Sequence, residues 1–133
     1  MTIREMLERH PREIGFDLDL LVRCIEECAD CGATCTSCSD ECLGEPDVPE
    51  LVRCVRLCLD CSDICDSTRR VVTRQTEPDL GVIRAALEAC VVACGASAEE
   101  CHRHAPHHDH CRVCEEVCRR CEQACKDLLA SLN

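Results

Sequence analysis

Eighteen of the 133 residues are cysteine, and they fall into four runs with one rhythm. Cys24, Cys28, Cys31, Cys35, Cys38 and Cys42 follow one another at steps of four and three. Cys54, Cys58, Cys61 and Cys65 repeat the pattern, as do Cys90, Cys94 and Cys101, and Cys111, Cys114, Cys118, Cys121 and Cys125. Such steps place side chains on one face of an α-helix, so each run is a stripe of thiols where a helix usually carries leucine. Thiolates are nucleophiles and soft-metal ligands. One or two buried cysteines pass for small apolar residues. Eighteen in register ask for a ligand, because Cys fills less volume than Leu and a core built of it alone is expected to pack loosely.

Ligand type and spacing narrow the choice of metal. Thiolates select Cu(I), Zn(II) and Fe–S clusters. Zinc takes four ligands in a tetrahedron, and a continuous ladder offers no natural division into closed groups of four. Fe–S clusters also need four ligands each, usually presented by loops. Cu(I) is satisfied by two or three thiolates, and sulfur bridges two ions readily. A Cys-x-x-x-Cys pair puts both Cβ atoms on one helix face roughly 5–6 Å apart, where a near-linear ion fits between the sulfurs. With bridging, capacity approaches one ion per thiol, on the order of 15 to 20 per chain. Each Cu(I) that displaces a thiol proton leaves the charge unchanged, so a full load buries no net charge. A zinc or general soft-metal buffer is the alternative, and it stops near four or five ions. A thiol redox protein is the weaker alternative. No single nucleophile stands out, and no thioredoxin-like strand context surrounds any pair.

The elements that position these stripes are four long helices at about 15–43, 49–75, 79–104 and 108–132, within one domain spanning 1–133. Thr2 and Glu5 form a candidate capping box for a short helix ahead of them. Gly44 is a stop signal, Glu45-Pro46-Asp47-Val48-Pro49 a turn with Asp47 and Pro49 suited to a helix start, and Thr76–Asp79 a capped turn. Pro106 breaks the chain before the last helix. Short links favour antiparallel neighbours, so the expected fold is all-α, an up-down four-helix bundle with a thiol-lined core. Arg23, Glu26, Glu27, Asp30, Ser37 and Asp40 make a polar outer face on the first helix. Ile25, Val55, Leu57, Val91, Val113 and Val117 flank the stripes and are expected to pack helix on helix. Position 97, where the register calls for a thiol, is Ser97.

Alternating direction gives the bundle two unlike ends. Continued one way, the registers give Leu21, Thr68, Val72, Leu80, Ile83, Leu87, Leu128 and Leu132, an aliphatic plug. Continued the other way they give Cys38, Cys42, Cys54, Cys101, His104, His107 and Cys111. His102, His108 and His110 cluster there too. His104, His108 and His110 are the candidate imidazole ligands at this mouth; His102 and His107 read as solvated residues, and His10 as structural. Neutral imidazole can pass a soft ion on to thiolate.

The formal net charge of −11 argues against a nucleic-acid surface. No run approaches the ~20 apolar residues of a membrane span. The N-terminal stretch shows no secretory core, which points to the cytoplasm, where thiols stay reduced. Gly and Pro number five each, unlike a loop-rich disulfide framework. No enzymatic activity is expected.

From about residue 15 onward, the four cysteine runs resemble the bacterial copper storage proteins, in particular their cytosolic branch. The resemblance implies a four-helix bundle that assembles as a homotetramer and stores many Cu(I) ions along its core. Ions would pass through one open end, matched here by His104, His108 and His110 with Cys38, Cys42, Cys101 and Cys111. Copper chaperones or exporters are the exchange partners it implies.

Overall fold

Residues 2–132 are described by a computed structural model. A short helix, α1 (Ile3–Glu8), precedes four long ones: α2 (Leu18–Leu43), α3 (Val52–Thr73), α4 (Leu80–His104) and α5 (Asp109–Ser131). Each long helix packs on its two neighbours in the ring α2–α3–α4–α5, with α5 closing on α2. This is the up-down-up-down bundle the spacing calls for, built from four helices and no strands among the described residues.

Asp17 starts α2 by accepting the Leu20 amide at 2.9 Å, and Asp79 starts α4 by accepting that of Val82 at 3.0 Å. Each satisfies one amide that the first turn leaves unpaired. Two expected caps are absent. Thr2 makes no side-chain bond to α1. Asp47 does not cap the next helix either; Val48–Glu50 forms a 3-10 turn and α3 begins only at Val52. The Asp47 carboxylate is engaged by His108 instead.

Gly32 and Gly95 sit inside helices, where Gly costs about 1 kcal/mol relative to Ala. A Cβ on Gly32 would lie 2.7 Å from Asp66 Oδ1, and one on Gly95 would lie 2.9 Å from Glu122 Oε2. These are the close approaches of α2 to α3 and of α4 to α5, where Gly leaves room that Ala would take.

The plug forms much as the registers imply. Leu21, Thr68, Val72, Ile83, Leu87 and Leu128 are all at most 1% exposed, with Leu132 at the edge. Leu80 is the exception. It opens α4 at the bundle's end and is 43% exposed, because no facing helix extends far enough to cover the first turn. Ile25 and Val117 are buried as interhelical packing, whereas Val113 lies on the outer face of α5 at 40% exposure.

The apolar content of α4 also departs from the sequence reading. It is long and apolar enough, by length and composition, to cross a membrane, because Ala and Val occupy its outer face as well as its flanks. In the bundle its cysteine face is turned inward, while only 28% of its most apolar window is buried. The outward apolar side is left uncovered in the single chain.

Candidate metal centre

All eighteen cysteines are free and at most 1% exposed. The helical stripes converge on the bundle axis, and sulfur meets sulfur at 3.5–3.9 Å along most of it, while the mouth thiols Cys38, Cys42, Cys54 and Cys111 lie within 4.8 Å of one another. These are van der Waals contacts, so the expected looseness does not occur. The four walls approach closely enough for sulfur itself to fill the core.

The distances bear on coordination. With metal–sulfur bonds of about 2.3 Å, an ion centred among three sulfurs holds them about 4.0 Å apart, and one between two collinear sulfurs about 4.6 Å. The i,i+4 pairs Cys31–Cys35, Cys61–Cys65, Cys90–Cys94 and Cys114–Cys118 stand at 3.8–3.9 Å. Three-sulfur sites therefore fit with little movement, while a linear site on one helix requires the sulfurs to part. Groups of four also exist, contrary to the sequence reading: Cys28, Cys90, Cys121 and Cys125, for example, lie within 4.8 Å of one another. The groups overlap, however. Cys31 belongs to two of them, as do Cys38, Cys54 and Cys121. A filled array of this kind must use bridging sulfurs rather than separate closed tetrahedra.

Ionisation in the array is shared. Hydrogen bonds from Cys125 and then Cys28 hold the Cys24 thiol down, to about 5. Cys28 moves the other way, its thiol raised through contacts with Cys121, Cys125 and Cys24. A thiolate is favoured where its neighbours donate to it, and its charge then keeps those neighbours protonated. At the mouth, burial pushes the Cys42 thiol up.

The five mouth histidines, on α4, the link after it and α5, are arranged unequally, with His107 exposed in the link. His110 is the one that meets the thiols. Its Nδ1 lies 3.4 Å from Cys38 Sγ and 3.6 Å from Cys111 Sγ, and its Nε2 is 3.1 Å from a Glu45 carboxylate oxygen. Burial works against its imidazolium, but contacts with Cys38 and Glu45 and the negative charge of Cys111 prevail, raising it to about 9. His108 stacks near His110, ring centres 5.5 Å apart, and both its nitrogens face carboxylates, Glu45 and Asp47. The Asp47 hydrogen bond is the main reason its pKa is raised. His104 is bound to Glu100 at 2.9 Å. His102 is solvated and paired with Glu115, and His10 closes its own loop with the Arg12 amide.

The carboxylates Glu45, Asp47 and Glu100 were not legible as site residues. The one signal for Glu45 and Asp47 was their place in the α2–α3 turn, which in a bundle of alternating direction comes to the same end as the histidines; Glu100 lies one turn before His104 on α4. A carboxylate behind a histidine fixes which ring nitrogen faces inward; Glu45 does this for His110.

A closed tube of bridging-competent thiols, entered past an oriented imidazole, is built for many soft ions. The sequence profile of the family described as "Copper storage protein" matches residues 18–130, all four long helices. The chain belongs to the copper storage protein family. Its fold is similar to that of the copper storage protein Ccsp from Streptomyces lividans, in a structure loaded with 10 copper equivalents. The TM-score is 0.97 at 48% identity, covering 98% of this chain and 100% of that one. A structure of the cytosolic copper storage protein from Streptomyces lividans with five coppers is similar at TM-score 0.85 and 51% identity, over 86% of this chain and 96% of that one. A histidine-to-alanine mutant of Ccsp gives TM-score 0.88 and 50% identity, over 90% and 99%. None of the curated protein sequences matches. In the present chain the cysteine register of α4 is interrupted at Ser97.

Proposed function

We propose that this copper storage protein holds Cu(I) on all eighteen cysteines, Cys24 to Cys125, and exchanges it at the His110 end. The observation that carries the reading is the single sulfur-lined core, opening at an imidazole whose Nδ1 touches two thiols. His110 is the first nitrogen ligand. His108 and His104, held by Asp47, Glu45 and Glu100, stand beside it as the imidazoles an ion meets on the way in. Each Cu(I) entering a neutral Cys pair displaces one thiol proton, so the buried charge stays constant as the core fills. The chain acts as one storage domain, and no bond-making on a substrate is involved. The cytosolic relative from Streptomyces lividans supports a cytoplasmic location, with copper chaperones or exporters as exchange partners.

We also propose a homo-oligomer, a tetramer by the resemblance. Its support is the uncovered face of α4. Ala85, Ala89, Val92 and Ala96, with Leu57 and Ile64 of α3, line an outer groove of about 560 Å³.

The test is anaerobic titration with Cu(I) against a competing chelator, counting ions by native mass spectrometry and protons with an indicator dye. The expected outcome is more than ten tightly held Cu(I) per chain, with close to one proton released per ion. Saturation at about four or five ions, with zinc bound as well as copper, would refute storage in favour of a tetrahedral zinc buffer.

A further inference from the structure

Ser97 is the one non-thiol in the middle of the array. It is fully buried, with its Oγ 3.5 Å from Cys118 Sγ, 3.6 Å from Cys58 Sγ and 3.9 Å from Cys35 Sγ. A neutral hydroxyl is a poor ligand for a soft ion. On α4 it separates Cys94 from Cys101, about 10.5 Å apart along the axis at 1.5 Å per residue.

The sulfur contacts divide at this level. Toward the mouth lie Cys38, Cys42, Cys54, Cys58, Cys101 and Cys111, with Cys54 and Cys58 touching Cys101. Toward the plug, Cys61 touches Cys65 and Cys94, and Cys65 touches Cys90, Cys94 and Cys121. Among the described residues, no sulfur hydrogen-bond contact joins the mouth thiols of α3 and α4 to the deep ones of the same wall. The crossing runs along the other wall. Cys58 meets Cys114 at 3.9 Å; Cys114 meets Cys35 at 3.7 Å and Cys118 at 3.9 Å; Cys35 meets Cys118 at 3.5 Å. From there Cys31 is 3.9 Å from Cys35 and 3.8 Å from Cys118.

We infer that Ser97 divides the copper store into a mouth compartment and a deep compartment, and that Cu(I) passes between them over a three-thiol bridge of Cys114, Cys35 and Cys118. The inference rests on the storage reading above and adds a route and an order of filling. At each step a Cu–S bond forms to the accepting sulfur and one to the donating sulfur breaks. The accepting thiol's proton passes to the thiolate that lets go, so neither charge nor oxidation state changes. On the α4 side of this wall the sulfur that would continue the exchange is replaced by oxygen, and on the α3 side Cys58 and Cys61 each turn to other partners, Cys101 and Cys114 for the one, Cys31, Cys65 and Cys94 for the other.

The experiment follows Cu(I) loading over time, with ion counts by native mass spectrometry under anaerobic conditions. Wild type is expected to fill in two phases, mouth then deep. The double variant Cys35→Ser/Cys118→Ser leaves Cys114 without a deep partner and should slow the deep phase about tenfold or more, while the mouth phase keeps its rate. Cys24→Ser/Cys125→Ser removes the same number of thiols at the far end and should shorten the deep phase without slowing it. Ser97→Cys added to the bridge variant supplies a sulfur beside Cys58 and one turn from both Cys94 and Cys101, and should restore the deep phase. One-phase filling of wild type, equal slowing in both double variants, or no recovery with Ser97→Cys would overturn the inference. A wild type that binds only a few ions at equilibrium would instead refute the storage reading itself.

Discussion

Leu128→Ala separates the two ends of the bundle in a single substitution. Leu128 is fully buried one turn below Cys125, against a plug shared with Leu21, Val72, Ile83 and Leu87. Truncating a buried Leu to Ala costs about 2–5 kcal/mol, more where the surroundings cannot collapse into the space. Here the facing residues come from the other three long helices, which also pack along the rest of their length, so collapse is restricted and about 3 kcal/mol is expected. Unfolding entropy near 2.1 cal/mol/K per residue turns that loss into a fall in Tm of roughly 10 °C for the apo protein. Loading the intact array should raise the Tm of wild type and variant together, because the same ligands add the same binding increment to both, and the stability difference between them should persist. The assay is melting followed by circular dichroism under reducing, anaerobic conditions, with and without Cu(I), alongside ion counting. Storage capacity should be unchanged, because no ligand is removed. Loss of several ions in a variant that still melts cooperatively would refute the separation of plug and store. An apo Tm within about 2 °C of wild type would refute the packing argument.

His110 gives a pH-dependent pair of effects. Its pKa is raised from 6.5 to about 9, so its contribution to stability is fully present below 6.5 and is lost as pH rises through about 9. Apo stability relative to His110→Ala should decline across that window. Capture of the first copper should accelerate over the same window, since only the neutral ring offers a lone pair; parallel rate profiles for wild type and His110→Ala in stopped-flow would exclude this. On the outer face, Val92 is 71% exposed, and Val92→Lys should leave the fold within about 0.5 kcal/mol. It should break the proposed homo-oligomer as read by light scattering, with the copper count per chain intact. An unchanged oligomer mass would place the interface elsewhere.

The legible parts were those set by local period. Steps of three and four put Cys24 to Cys42 on one face of α2 whatever the helix packs against, and the same logic ordered the plug from Leu21 to Leu128. Local signals were weaker at boundaries. Asp47 has the right chemistry for a cap, yet its carboxylate was claimed by His108, 61 residues away. Leu80 keeps the register but sits where the neighbouring helices have ended. Groups of four thiols were invisible along one strand of sequence, since Cys28, Cys90, Cys121 and Cys125 come from three helices.

Sequence alone therefore determined the helices, their thiol faces, the polarity of the bundle and the preference for a soft ion. These follow from periodicity and ligand chemistry, which need no knowledge of neighbours. Tertiary structure decided how close the sulfurs come, which imidazole reaches them and where the array is interrupted. Those depend on distances between helices, and a spacing along one chain does not contain them. Ser97 shows the difference: in sequence it is a missing thiol, and in the folded bundle it faces Cys35, Cys58 and Cys118, where sulfur contacts continue along the opposite wall.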